Sequence, residues 1–400
     1  MGWVFGFPLT LLIKRVPNLI VVFSRPGPVF ADNSKYFFLY ATSLRDNKVS
    51  TIFLTESTSI QQSIIHAGGK AIMHPSIQSI VVLLRCGKIV TDCADWSNFG
   101  AYALTRGAKT IQIWHGAPLK HIELDLYRKR LQLTPFRLRS LLKIQKKILG
   151  RYPLYDVVVA TSKQFIKEAF KKSFRAKKFI ATGYPRNDIL FGLPEGNTTA
   201  EKLALINVDK KVIEIIKEKR AQGIGICLYV PTFRKDMTDP FEVAINLKRF
   251  SEISKKFNLL TVLKLHPVVK KYYNIIHDDS LIEYPPLADV YPIMKLCDFM
   301  ITDYSSIFFD YLLLDRPIIF FSYDLANYLS NDRDMYFDYH SMTPGVKCYN
   351  YDELEYNIEL LLKSGCIDKY ADFRKRITDF THDHIDNYST RRLYDEVLRI

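Results

Sequence analysis

The sequence predicts an α/β protein made of two doubly wound units joined by a linker. Short apolar runs alternate with longer amphipathic ones along most of the chain, which is the mark of repeated βαβ units. Residues 192–200 (GLPEGNTTA) break that alternation with Gly, Pro, Asn and Thr, and it then restarts. The 400 residues suffice for two domains with their own cores, and 48% hydrophobic with 24% charged residues is a globular composition.

Residues 3–13 are apolar but short, lack a basic leader and are followed by Lys14 and Arg15. They predict a first strand or a shallow membrane contact rather than a secretory signal. Strands are predicted at 19–23, 51–54, 70–73, 88–91, 110–114, 156–160 and 179–182. Helices are predicted from Asp32 or Asn33 to Arg45, at 60–67 and near 98–106. Beyond the linker, strands are predicted at 226–230, 259–265, 299–302 and 317–321, with helices near 208–219, 246–257, 287–296 and 305–314. The tail reads as helices at 351–363, 367–381 and 389–399. The domain division is residues 1–191, the linker 192–200, residues 201–380, and a terminal helix over 381–400 that could return to the first domain. No apolar run reaches the roughly 18–20 residues needed to cross a bilayer.

The six cysteines form no C-x-x-C pair and sit near no His cluster, so they predict buried small side chains in a reducing compartment. The His382-Asp383-His384 triplet predicts a solvated surface. The net charge of +14 is concentrated: residues 120–178 hold 17 Lys/Arg against 4 Asp/Glu, leaving 39 against 38 elsewhere. Such concentration points to a polyanionic partner, with an ordinary basic face as the alternative. Within it, residues 137–149 carry Leu138, Leu141, Leu142 and Leu149 at helical spacing, with Arg137, Arg139, Lys143, Lys146 and Lys147 over much of the remainder. A basic amphipathic helix of this kind can lie on anionic lipid, or simply pack on its sheet.

Ligands of open parallel sheets bind beyond the carboxyl ends of the strands. The polar residues just after predicted strands are therefore the candidates. His115-Gly116 follows 110–114, Arg186 and Asn187 (in GYPRND) follow 179–182, and Thr232 and Arg234 follow 226–230. His266 follows 259–265, and Asp303, Ser305 and Ser306 follow Thr302. Histidine can take a proton from an alcohol near neutral pH. Arginine offers planar, charge-assisted hydrogen bonds to phosphate. A Ser pair opening a helix suits phosphate through free N–H groups. No P-loop, G-x-G-x-x-G, H-E-x-x-H or G-x-S-x-G occurs.

The segments WHGAPLK (114–120), GYPRND (183–188), VPTFR (230–234), KLHP (264–267), TDYSSIFFDYLLLDRPIIFFSYDL (302–325) and YFDYHSMTPG (336–345) resemble, in this order, the CDP-glycerol glycerophosphotransferase family of teichoic acid and capsule polymerases and primases. The resemblance spans roughly residues 114–345. It implies two Rossmann-like domains of the glycosyltransferase-B type with a CDP-polyol in a deep interdomain cleft. It implies a peripheral enzyme on the cytoplasmic face of the membrane with a lipid-linked or polymeric acceptor. It makes His115 and His266 the essential histidines, and gives Thr302, Ser305 and Ser306 a part in holding donor phosphates. Gly116, Arg186, Asn187, Thr232, Arg234 and Asp303 complete the expected substrate-binding set. The expected donor is CDP-glycerol or another CDP-polyol, with no firm cofactor and a divalent metal left open. Two other readings remain: a nucleotide-sugar glycosyltransferase on the same fold, and a basic non-enzymatic protein binding membrane or nucleic acid.

Overall fold

The computed structural model describes residues 7–44, 48–94, 96, 101–148, 152–192, 198–232, 234, 246–266, 276–331 and 334–400. It divides into two compact units. Unit 1 comprises Met1–Gly116, His121–Asn207 and His382–Ile400; unit 2 comprises Ala117–Lys120 and Val208–Thr381.

The sheet of unit 1 contains β1 (Val16–Phe23), β2 (Ser50–Thr55), β3 (Ala71–Met73), β4 (Cys86–Thr91), β5 (Lys109–Gln112), β6 (Leu154–Ala160) and β7 (Arg175–Ala181), all parallel, in the order β3-β2-β1-β4-β5-β6-β7. Every residue of β4 is buried, as are the last four of β1. Burial on both faces explains why these strands read as apolar runs and not as alternating patterns. Unit 2 repeats the plan with β8 (Gly225–Val230), β9 (Leu259–Lys264), β10 (Ile276–Asp278), β11 (Leu281–Tyr284), β12 (Phe299–Thr302), β13 (Ile318–Phe321) and β14 (Val346–Cys348), ordered β10-β11-β9-β8-β12-β13-β14. Only the β10–β11 pair is antiparallel among these neighbours. One core cluster of unit 2 packs Tyr229, Phe250, Leu263 and Phe299 of this sheet and its covering helices. In each unit the strand order reverses once, between β1 and β4 and between β8 and β12. Loops diverge there and leave room for a ligand.

Several expectations are corrected. Residues 7–12 form a helix, Phe7–Leu12, not a strand; residues 1–6 lie outside the described residues. The apolar stretch Ile77–Arg85, unassigned from sequence, is a helix started by a capping box between Ser76 and Ser79. The helix expected near 287–296 shrinks to Tyr291–Met294. The Ser305-Ser306 pair does not cap a long helix. The helical segment is only Phe308–Tyr311 followed by a 3₁₀ turn, Leu312–Leu314, and its cap residue is Ile307. The dipole argument for a phosphate there is correspondingly weak, since few peptide units are aligned. His382 is buried rather than solvated, and Asp383 accepts the Lys163 N–H at 3.1 Å.

The five buried cysteines and half-buried Cys366 are all free thiols. Residues 193–197 of the linker lie outside the described residues. The terminal helix, Ser389–Arg399, packs within unit 1. The Asp188 carboxylate accepts the Ser389 and Thr390 N–H groups at 3.0 and 2.8 Å and the Thr390 hydroxyl at 2.6 Å. Gly183, at φ +81°, passes so close that a Cβ would stand 2.4 Å from Ser389 Oγ. Much of GYPRND therefore serves to seat the chain end. Among the described residues, no helix is long and apolar enough to cross a membrane.

Candidate active site

In unit 1 the polar groups gather at the β1–β4 reversal and its neighbours. Trp114, at φ +46°, and Gly116, at φ +155°, turn the chain sharply just past β5 and leave His115 between them. Asn33 fastens this turn, its Nδ2 donating to the carbonyls of Ile113 at 3.3 Å and Trp114 at 2.6 Å. The Tyr184 hydroxyl donates to Gly116 O at 3.2 Å. His115 Nδ1 lies 3.0 Å from the Asp92 carbonyl oxygen. A carbonyl only accepts, so Nδ1 carries the proton and Nε2 keeps its lone pair. Burial, and then the nearby Arg25, push the imidazole down to about 3, so the ring is neutral.

Two buried carboxylates surround this histidine, and the sequence marked neither. Asp32, at the start of the helix after β1, pairs with Arg186 at 2.7 Å and Arg25 at 2.8 Å. Burial opposes its charge, but the two guanidinium groups outweigh burial and hold its pKa below the usual range. Asp92, directly after β4, accepts from the Ser34 N–H at 3.2 Å and from the Ser34 hydroxyl. Burial, with Asp32 adding repulsion, pushes Asp92 up to about 7.

Arg186 is 4% exposed. Besides Asp32 it donates to the His115 carbonyl at 2.8 Å. It therefore props the turn that carries His115, where sequence suggested a phosphate contact. Asn187 is buried beside it, and its Oδ1 has no partner among the described residues.

In unit 2 a buried arginine, Arg234, stands just past β8. Its Nε and Nη2 donate to the two oxygens of Asp324 at 2.8 and 2.9 Å, and Nη1 donates to Asp303 at 2.9 Å. Tyr304 and Tyr328 stack on each other at 3.9 Å, and the guanidinium sits 4.9 and 5.0 Å from their ring centres. Burial works against this cation, yet Asp303 and Asp324 raise its pKa well above the ordinary value. Asp303 also receives the N–H of Thr232 at 2.9 Å, and its carbonyl receives the Tyr339 hydroxyl at 3.1 Å. Residues 117–120 join this unit: Leu119 O accepts from Tyr336 N at 2.9 Å, and Lys120 Nζ donates to the Tyr328 hydroxyl at 2.7 Å.

The remaining candidates separate clearly. Thr302 is fully buried and donates its hydroxyl to Val230 O at 2.7 Å, which occupies it within the sheet. Thr232 Oγ1 is buried without a partner, and the half-buried Ser305 and Ser306 side chains have none either among the described residues. These three hydroxyls at adjacent strand ends are the ones left for a ligand. His266 lies exposed past β9, while Pro267 and residues 268–275 lie outside the described residues, as do Phe233 and residues 235–245. Arg137 and Lys143 are exposed on the helix Phe136–Ile148, Arg139 is half-buried, and the side chains of Lys146 and Lys147 lie outside the described residues. No group of three or more His, Cys, Asp or Glu residues among the described residues could hold a metal ion.

Asp32, Ser34, Asp92 and Asp324 were missed because each matters through a partner 58 or more residues away (Asp92 from Ser34, Asp324 from Arg234). The one available signal was that Asp92 and Asp324, like the recognised candidates, stand just past strands.

Two doubly wound units with polar clusters at their strand ends make a fold of the glycosyltransferase-B type. The chain belongs to the CDP-glycerol:poly(glycerophosphate) glycerophosphotransferase family, whose profile matches residues 7–399. The teichoic acid poly(glycerol phosphate) polymerase of Bacillus spizizenii is 28% identical over 253 residues, 60% of this chain and 58% of that protein. The corresponding Bacillus subtilis polymerase matches over only 30% of its length, so the chain spans between about a third and three-fifths of these two relatives. The teichoic acid glycerol-phosphate transferase of Staphylococcus aureus is 25% identical over 84% of this chain and 82% of its own. The solved wall teichoic acid polymerase TagF superposes with a TM-score of 0.71 at 21% identity, covering 96% of this chain and 89% of that one. A variant of it has been solved after soaking with CDPG.

Proposed function

We propose that this chain transfers a polyol phosphate from CDP-glycerol, or a related CDP-polyol, to a hydroxyl of a lipid-linked or polymeric acceptor. The observation that carries the reading is the neutral His115, with Nδ1 pinned to the Asp92 carbonyl at 3.0 Å and Nε2 left to accept a proton. The acceptor oxygen attacks the β-phosphorus, the new P–O bond forms, the pyrophosphate P–O bond breaks, and CMP leaves. The hydroxyl proton passes to His115 Nε2. An imidazole this acidic is a weak base in the free protein. An anionic donor beside it raises its pKa by favouring the charged form, so proton transfer is tied to substrate binding. Thr232, Ser305 and Ser306 offer hydroxyl donors to the phosphates, and His266 supplies a further donor from the end of β9. Phosphoryl transfer depends chiefly on such positioning and charge stabilisation.

The helix Phe136–Ile148 supports attachment to an anionic membrane face, here read as the cytoplasmic one. Phe136 is 82% and Leu141 62% exposed, next to exposed Arg137 and Lys143. Apolar side chains flanked by cations suit a lipid headgroup boundary. Replacing both Phe136 and Leu141 by serine is expected to abolish flotation with phosphatidylglycerol vesicles. Unchanged flotation refutes the membrane role.

Purified protein with a membrane fraction as acceptor source should release CMP from one CDP-polyol among CDP-glycerol, CDP-ribitol and UDP-sugars, with and without EDTA to decide the metal. UDP release instead would make the chain a sugar transferase.

A further inference from the structure

The turn that carries His115 is held against its own backbone preference. Trp114 sits at φ +46°, in the left-handed region that a bulky L-residue rarely adopts. Such a conformation persists only where its surroundings over-determine it. Here each carbonyl from residue 113 to 116 receives a hydrogen bond from a side chain. Asn33 Nδ2 donates to Ile113 O at 3.3 Å and Trp114 O at 2.6 Å, Arg186 Nη1 to His115 O at 2.8 Å, and the Tyr184 hydroxyl to Gly116 O at 3.2 Å. Gln112 Oε1 takes the Trp114 N–H at 2.8 Å.

Asn33 stands at the centre of this set. It is fully buried in the first turn of the helix Asp32–Ser43, and its amide is engaged at both ends. The Nδ2 protons go to the two carbonyls, and Oδ1 accepts the Arg186 N–H at 3.2 Å. Carbonyls on one side and an N–H on the other fix which way the amide points, because a flipped amide would set oxygen against oxygen. One side chain thus joins the helix after β1 to the turns after β5 and β7. The peptide it holds also sets the Trp114 ring 4.0 Å from the His115 ring, tilted by 32°.

Resting on the transferase reading, we propose that Asn33 is the positioning residue of the base: by holding the peptides on either side of Trp114 it keeps His115 Nδ1 on the Asp92 carbonyl and leaves Nε2 for the acceptor proton. Asn33 acts through the turn and needs no contact with substrate. Without its two donors, Trp114 relaxes out of the left-handed region and His115 swings off the Asp92 carbonyl. The charged groups that face the ring are Arg25, Asp32 and Arg186, with Asp92 joining through its carbonyl. A ring that leaves this buried setting regains the ordinary titration of a histidine.

The test compares the full chain as wild type, Asn33→Ala, Asn33→Ser and Tyr184→Phe, the last removing one oxygen and keeping the ring. NMR of the histidine ring nitrogens reads the His115 tautomer and titration, with the signal assigned by its loss in His115→Ala. CMP release reads kcat per folded molecule. Wild type is expected to hold the proton on Nδ1 and to take up no second one from pH 7.5 to 5. Asn33→Ala is expected to lose that tautomer and to titrate near the ordinary ~6.5. Its kcat should fall about 100-fold, the effect of a small misplacement of a reacting group, with both KM values unchanged. Tyr184→Phe should lower kcat about 5–10-fold, the usual effect of one hydrogen bond. A residue that serves stability alone would lower the urea midpoint and leave tautomer and kcat at wild type, and that result overturns the proposal. So does a fall in kcat with His115 still neutral and protonated on Nδ1. If Asn33→Ala does not fold, wild-type tautomer and kcat in both Asn33→Ser and Tyr184→Phe overturn it equally. If the tautomer follows Asn33 but no CDP-polyol is turned over, the hold on His115 stands and the activity reading falls.

Discussion

His115→Ala should lower CMP release about 10²–10⁴-fold, the range for loss of a general base. The melting temperature should stay close to wild type, because among the described residues the side chain makes one hydrogen bond, to the Asp92 carbonyl. The pH dependence separates this histidine from an ordinary one. kcat/KM reports the free enzyme. There, burial and Arg25 push His115 down to about 3, so the base form exists at every pH above that value. Acidification from pH 7.5 to 5 should not titrate it. An inflection near pH 7 belongs instead to Asp92, pushed up to about 7 by burial and Asp32. Above that pH Asp92 is ionised and makes His115 a better base, so the rate should rise with pH. Asp92→Asn should abolish this inflection and His266→Ala should leave it. An inflection that survives Asp92→Asn contradicts the assignment, and near wild-type turnover of His115→Ala removes the base role.

Arg234→Ala is expected to destabilise unit 2 by about 3–5 kcal/mol, read from the urea midpoint and slope. The reason is what remains: Asp303 and Asp324 lose a cation that is 6% exposed and shared between them at 2.9 and 2.8 Å. Arg234→Lys should fall between, since an ammonium keeps the charge but cannot span Asp324 with two parallel hydrogen bonds. Asp324→Asn in the Ala background should recover part of the loss. If Arg234 were held for phosphate instead, the unfolding free energy would barely move and the donor dissociation constant would rise. The fully engaged guanidinium makes the first outcome the expected one.

The two arginines show where reading the sequence stops. Both follow strands in phosphate-binding fashion, and both turn out to be paired with carboxylates. Composition gives the count of opposite charges but not their partners. Arg186 and Asp32 are 154 residues apart and meet because the helix that opens at Asp32 packs against the Pro185–Asn187 turn. The helix expected after Ser305 fails for a local reason: Phe308–Tyr311 passes into a 3₁₀ turn that ends at Asp315 in the left-handed region. The short strands β10 and β14 had too few residues to show a period.

The sequence alone determined the architecture and the family. Strands buried on both faces must be continuous apolar runs, and parallel connections must place a helix between them, so local composition carries the fold. It also determined that His115 stands at a strand end, because the β5 run stops there. The tertiary structure decided what state that histidine is in and which hydroxyls are left to bind. Tautomer, pKa and hydrogen-bond vacancy depend on groups brought within about 3 Å by the fold: the Asp92 carbonyl for His115, the Val230 carbonyl that occupies Thr302, and the lack of any described partner for Thr232, Ser305 and Ser306.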